Sequence, residues 1–158
     1  ECISGCYRRP GWMTPAEARA LIDAGHSDKL MLECWLPTGY EGEEVQLLAV
    51  AVRGSESGIA TFDPCGCCTF LSSGERCEIY ELRPLECALS VACDDERTTE
   101  AYLPQLVVEV YEAWQPDDSQ ALVDEWKEAH DVEGEAPAGS LIDAFECGIR
   151  QLFEGSRI

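Results

Sequence analysis

Ten cysteines in 158 residues set the first question about this chain. Six of them, Cys65, Cys67, Cys68, Cys77, Cys87 and Cys93, crowd into one stretch, and Cys2 and Cys6 form a Cys-x3-Cys pair near the start. Scattered core cysteines do not bunch in this way. Thiolates are soft metal ligands, and several converging from separate segments make a tetrahedral zinc site with Zn–S distances of about 2.3 Å. The same donors suit an iron–sulfur cluster. Disulfide bonding is a second reading, since the count is even. Against it, the chain is large enough to bury a core without staples and shows no export signal. Structural core thiols are the third reading. They account for Cys34 and Cys147, each set in an apolar pattern, but not for the cluster.

Other chemistry has little to stand on. His26 and His130 are the only histidines, each at the end of a helical pattern where an imidazole complements the helix C-terminus. No Ser/His/Asp or Cys/His pairing and no Gly-rich phosphate loop is visible, and the carboxylates are too numerous to single out an acid/base pair. Whether the chain is an enzyme is left open. The net charge is −20, from 31 acidic and 11 basic residues. Such a surface repels phosphate backbones and anionic headgroups, which excludes nucleic acid and membrane surfaces as partners. The longest apolar run, Val45 to Val52, contains Gln46 and is far shorter than the roughly 18 to 20 residues of a membrane span. A cytoplasmic protein is expected.

The elements that must position the cysteines follow from pattern. Residues 1–12 read as a loop with Cys2, Cys6, Pro10 and Gly11. Thr14-Pro15-Ala16-Glu17 opens a helix, with Thr14 as cap, Pro15 in the first turn and Glu17 reaching back. Ala18, Leu21 and Ile22 share its buried face, and Gly25 stops it. Residues 30–36 are apolar but too short to assign a type. Val45 to Arg53 reads as a strand, paired through the loop Gly54 to Gly58 with Ile59 to Phe62 as a hairpin. From Asp63 to Asp95 periodicity fails, as in a segment held by what its thiols bind. Helices then follow on Leu103 to Trp114, after Ser119 with Leu122, Val123 and Trp126, and from Ser140 to Leu152. Trp12 is placed to shield the metal site.

Two stretches carry a resemblance. They are Cys2-x3-Cys6-Tyr-Arg-Arg-Pro-Gly-Trp-Met-Thr-Pro-x-Glu, and Gly66-Cys67-Cys68-Thr-Phe-Leu continued by Arg76-Cys77-Glu-Ile-Tyr-Glu-Leu-Arg83-Pro84-Leu-Glu-Cys87. The chain resembles the YkgJ-type cysteine-cluster family, a zinc- or iron-chelating domain, closely over 65–87 and loosely over 2–93. The resemblance implies that Cys2, Cys6, Cys68, Cys77 and Cys87 are metal ligands. The family often has a doubled cysteine where only Cys6 stands here, and a thiol upstream of Glu1, or Cys65, Cys67 or Cys93, would fill that place. A more distant similarity reaches the flagellin lysine methylases, which implies an iron–sulfur cluster. Pro84 turns the chain so that Cys87 returns toward Cys77. Arg83 is either a donor to thiolate sulfur or a surface arginine paired with a carboxylate. Tyr80 reads as packing.

The expectation is an α+β fold, with a small cysteine-cluster core and a short β-hairpin packed with about four helices. Residues 1–97 form the metal-binding region and 98–158 an all-helical C-terminal region packed on it. The expected role is a zinc-binding structural or metal-handling module that shows a helical surface to a protein partner. The alternative is an iron–sulfur protein with redox or methyl-transfer chemistry.

Overall fold

The computed structural model describes residues 5–35, 47–60, 63–89 and 96–133. A 3-10 turn at Gly5–Tyr7 precedes helix α1 (Pro15–Asp23) and a second such turn at Ser27–Lys29. Strands β1 (Leu30–Trp35) and β2 (Leu47–Val52) follow, then a 3-10 turn at Tyr80–Leu82 and helices α2 (Leu85–Leu89), α3 (Glu96–Trp114) and α4 (Asp117–Ala129). Among the described residues this is a two-stranded antiparallel hairpin with four α-helices, an α+β mix.

The strand pairing differs from the expected one. β2 pairs with β1, Leu30 opposite Val52 and Trp35 opposite Leu47, rather than with Ile59 to Phe62. Ile59 supplies a carbonyl that accepts the Leu32 N–H at 2.9 Å, and Phe62 lies outside the described residues. Every residue of both strands is buried. A strand covered on both faces shows no alternation, so 30–36 carried no periodic sign of its type. Alternation along the strand places Leu30, Leu32 and Cys34 with Val52, Val50 and Leu48 on one face. All six join the core that includes Leu21, Leu106, Val110, Trp114 and Val123. The opposite face carries Met31, Glu33 and Trp35 across from Ala51, Ala49 and Leu47.

Local chemistry explains the helix ends. The Glu17 carboxylate accepts the Thr14 N–H at 2.7 Å, and Gly25 takes the left-handed φ of +83° after the helix. The helix expected to open at Ser119 begins earlier, at Asp117, with Pro116 as its cap. The Ser119 hydroxyl instead donates to the Ala113 carbonyl at 2.9 Å, closing the end of α3. Gln120 donates to the carbonyls of Leu48 at 3.0 Å and Trp114 at 2.6 Å, fastening α3 and α4 to β2.

Both histidines lie at element ends, as expected. His26 packs edge-on against Phe70, and His130 caps α4 and stacks on Trp126. His130 Nε2 also lies 2.6 Å from Ser27 Oγ, a pairing across the fold that the sequence did not disclose. The expected helix from Ser140 to Leu152, with Cys147, lies outside the described residues. Among the described residues no helix is long and apolar enough to cross a membrane.

Trp114 is fully buried, and its indole N–H donates to the Met13 carbonyl at 2.9 Å, joining α3 to the start of α1. Trp114→Ala is expected to cost about 3–5 kcal/mol in urea denaturation. Val108→Ala, on an exposed position of the same helix, is expected to stay within about 0.5 kcal/mol.

Candidate metal centre

Past β2 the chain keeps pairing, now with the cysteine-rich loop. Gly54 bridges Cys68. The Ser55 N–H donates to the Cys67 carbonyl at 2.7 Å, and the Glu56 N–H to the Cys65 carbonyl at 3.0 Å. In return the hydroxyls of Ser55 and Ser57 accept the N–H groups of Cys67 at 3.0 Å and Cys65 at 2.6 Å. Reciprocal bonding of this kind orders a segment that has no apolar pattern of its own. Gly54 permits it, since a Cβ there would lie 1.9 Å from the Cys65 carbonyl oxygen.

A tight return then brings Cys77 back beside Cys68. Leu71 bridges Cys77, and the Ser72 hydroxyl accepts the Arg76 N–H at 3.1 Å. Glu75 sits at a left-handed φ of +57°, with its carboxylate accepting the Tyr7 hydroxyl at 2.7 Å. Pro84 is buried ahead of α2, which carries Cys87. The N-terminal segment closes over the group. The Cys6 carbonyl accepts the Cys68 N–H at 2.7 Å, and Gly11 lies so near Cys87 that a Cβ would come within 2.5 Å of its Sγ.

The electrostatics record the convergence. Burial pushes the Cys68 thiol up to about 12, with charge on Cys6, Cys77 and Cys67 raising it further, while the Phe70 N–H opposes the rise. Burial likewise pushes Cys87 to about 12, helped by Cys6, Glu86 and Cys68 and opposed by the Gly11 N–H. The Cys6 thiol is raised by burial and by Cys77 and Cys67. Cys6 and Cys68 thus lie within the field of thiols from other segments, including Cys77 and Cys67, and Cys87 lies within that of Cys6 and Cys68.

Cys6, Cys67, Cys68, Cys77 and Cys87, all expected as ligands, share this neighbourhood and are not disulfide-bonded. Among the described residues no three His, Cys, Asp or Glu side chains are arranged to hold a metal ion. The donor types fit zinc or iron, but the arrangement is one of neighbours rather than a closed coordination shell. Cys65, expected as a further ligand, is disulfide-bonded. A sulfur committed to that bond supplies no thiolate, so at this position the disulfide reading holds. Cys2 and Cys93 lie outside the described residues. Cys34 is buried in β1 as expected of a core thiol, and burial pushes it up to about 11.

Among the described residues Arg83 makes neither expected pairing. Its guanidinium lies 4.0 Å over the Tyr80 ring and donates to the Tyr80 carbonyl at 2.7 Å, a contact between neighbours in sequence. Tyr80 packs under Arg83 at the surface, 40% exposed. Trp12 flanks the site, with its N–H donating to Glu86 Oε2 at 2.8 Å. Sequence reasoning missed the backbone donors of Phe70 and Gly11, which no side-chain type signals. It also missed the contact of Arg9 with Glu33, at 3.4 Å.

The chain matches no protein-family model, no curated protein and no solved structure.

Gly54→Ala is expected to displace the Cys65 to Thr69 segment and loosen the thiol group. The expected outcome is faster reaction of the cysteines with a thiol reagent and a loss of stability of about 1–3 kcal/mol. Labelling as slow as in the wild type would contradict the close approach of the two segments.

Proposed function

We propose that the chain is a zinc-binding cysteine-cluster protein, of the kind the YkgJ-type resemblance implies, acting as a structural or metal-handling module. One observation carries the reading: Cys6, Cys68, Cys77 and Cys87 come from four segments, and Cys6 and Cys68 each feel the charge of others in this set. Buried thiols raised so far stay protonated unless a cation compensates their ionisation, and a divalent metal supplies that compensation. The N–H groups of Phe70 and Gly11, which favour thiolate at Cys68 and Cys87, suit the same state. Cys67 is a neighbouring fifth thiol, and Cys2 a further candidate from the resemblance. When bound, zinc would fix these segments in place and neutralise their charge. The residues up to about 97 form the metal-binding region in this reading. The C-terminal third, all helical, packs on that region and gives a protein partner its surface, in a cytoplasmic setting.

Zinc is preferred to iron because it favours tetrahedral thiolate sites and needs no assembly machinery. Metal analysis of reduced, anaerobically purified protein is expected to find about one zinc per chain. Cys68→Ser, Cys77→Ser and Cys87→Ser should lose it, since a serine hydroxyl stays protonated where a thiol ionises, and Cys34→Ser should keep it. Metal retained by the Cys77→Ser and Cys87→Ser proteins would refute the ligand set. Iron with equal acid-labile sulfide and no zinc would replace the zinc reading with an iron–sulfur one.

A further inference from the structure

Glu33 is a carboxylic acid inside a hairpin, 8% exposed, and the metal chemistry proposed above does not use it. Arg9, from the same segment as Cys6, brings Nη2 within 3.4 Å of its Oε1. The Trp35 indole N–H donates to its other oxygen at 3.0 Å. The Arg9 guanidinium also lies 4.5 Å over the Trp12 ring, and Trp12 packs against Trp35 with ring centroids 5.2 Å apart. Four side chains thus close a ring of contacts between the Cys6 segment and β1. Opposite Glu33 on β2 stands Ala49, whose small side chain leaves room for the group.

We propose that Glu33 and Arg9 form a proton-operated latch that holds the Cys6-bearing segment against the hairpin while Glu33 is ionised. The groups acting on Glu33 come from each side. Arg9 from the N-terminal segment and the Trp35 N–H on its own strand favour the charged form, whereas Asp63 before the cysteine loop and Glu86 on α2 disfavour it. Burial outweighs them all and pushes the carboxyl up to about 7. Cys34, the next residue in the strand, is pushed up to about 11 and stays neutral throughout this range.

Two signs follow. Arg9 favours ionised Glu33, so by reciprocity ionised Glu33 favours docking of the segment, and docking weakens as pH falls through about 7. Folding runs the other way. The folded-state value lies above the ordinary carboxylate range, so the stabilising contribution of Glu33 is full at low pH and is lost as pH rises through about 7. A purely structural ion pair would strengthen both docking and folding as its carboxylate ionised. Here one rises as the other falls. Arg9 keeps 31% of its side-chain surface exposed, which gives it a path to water when the latch opens.

Trp12 and Trp35 lie in the ring of contacts and report its state by fluorescence, whether or not the thiols hold metal. Failure of the metal reading would therefore leave this test intact. The full-length protein is titrated across neutrality while far-ultraviolet circular dichroism confirms that it stays folded. The wild type is expected to show an emission change centred near pH 7. Glu33→Gln and Arg9→Gln should both lack the change, since each removes one half of the latch, whereas Arg9→Lys, which keeps the charge, should retain it. The same transition in Glu33→Gln or in Arg9→Gln would overturn the latch. If Glu33→Gln does not fold, the comparison of Arg9→Gln with Arg9→Lys decides alone.

Discussion

Thiols drawn into a poorly hydrated space cannot all ionise beside one another, and the cysteine region of this protein is organised around that constraint. Burial and mutual repulsion push Cys68 and Cys87 to about 12 and raise Cys6 as well. The chain meets the constraint only in part, by aiming the N–H groups of Phe70 and Gly11 at two of the sulfurs. A pair of backbone dipoles offsets much less charge than a divalent cation does. In the proposed reading, the metal supplies the remaining compensation and draws the neighbouring thiols into a shell.

The hairpin and helices provide the fixed frame for this arrangement. β2 is pinned by α3 and α4 through Gln120, and its continuation at Gly54 to Ser57 holds the Cys65 to Cys68 backbone. The N-terminal segment reaches the same group from the other side, through the Cys6 carbonyl and Gly11. Cys65 adds a covalent constraint. Disulfides persist in oxidising compartments, so that bond and the expected cytoplasmic setting pull in opposite directions. Reduction of Cys65 would return one more thiol to the neighbourhood.

Features written in local chemistry were legible from the residues alone. The α1 start at Thr14 to Glu17, its end at Gly25, the buried stripe of Leu122, Val123 and Trp126, and the core place of Cys34 all follow from short-range rules. The strand pairing was not legible, because β1 is buried on both faces and shows no period. Ser119 was misplaced because Pro116 can cap as well as precede a helix. At the site, the cysteine types pointed to one another, whereas the N–H donors and the partnership of Arg9 with Glu33 depend on how distant segments meet. Arg83 shows the converse. A residue bracketed by motif positions settles on its sequence neighbour Tyr80, a contact that costs little chain entropy.

The central claim is that the thiols of Cys6, Cys68, Cys77 and Cys87 close on a common metal. X-ray absorption at the zinc edge of the reduced, zinc-loaded protein tests it most directly. The account predicts a first shell of about four sulfurs at about 2.3 Å. A shell dominated by nitrogen or oxygen, or zinc bound with fewer than about three sulfurs, would contradict it.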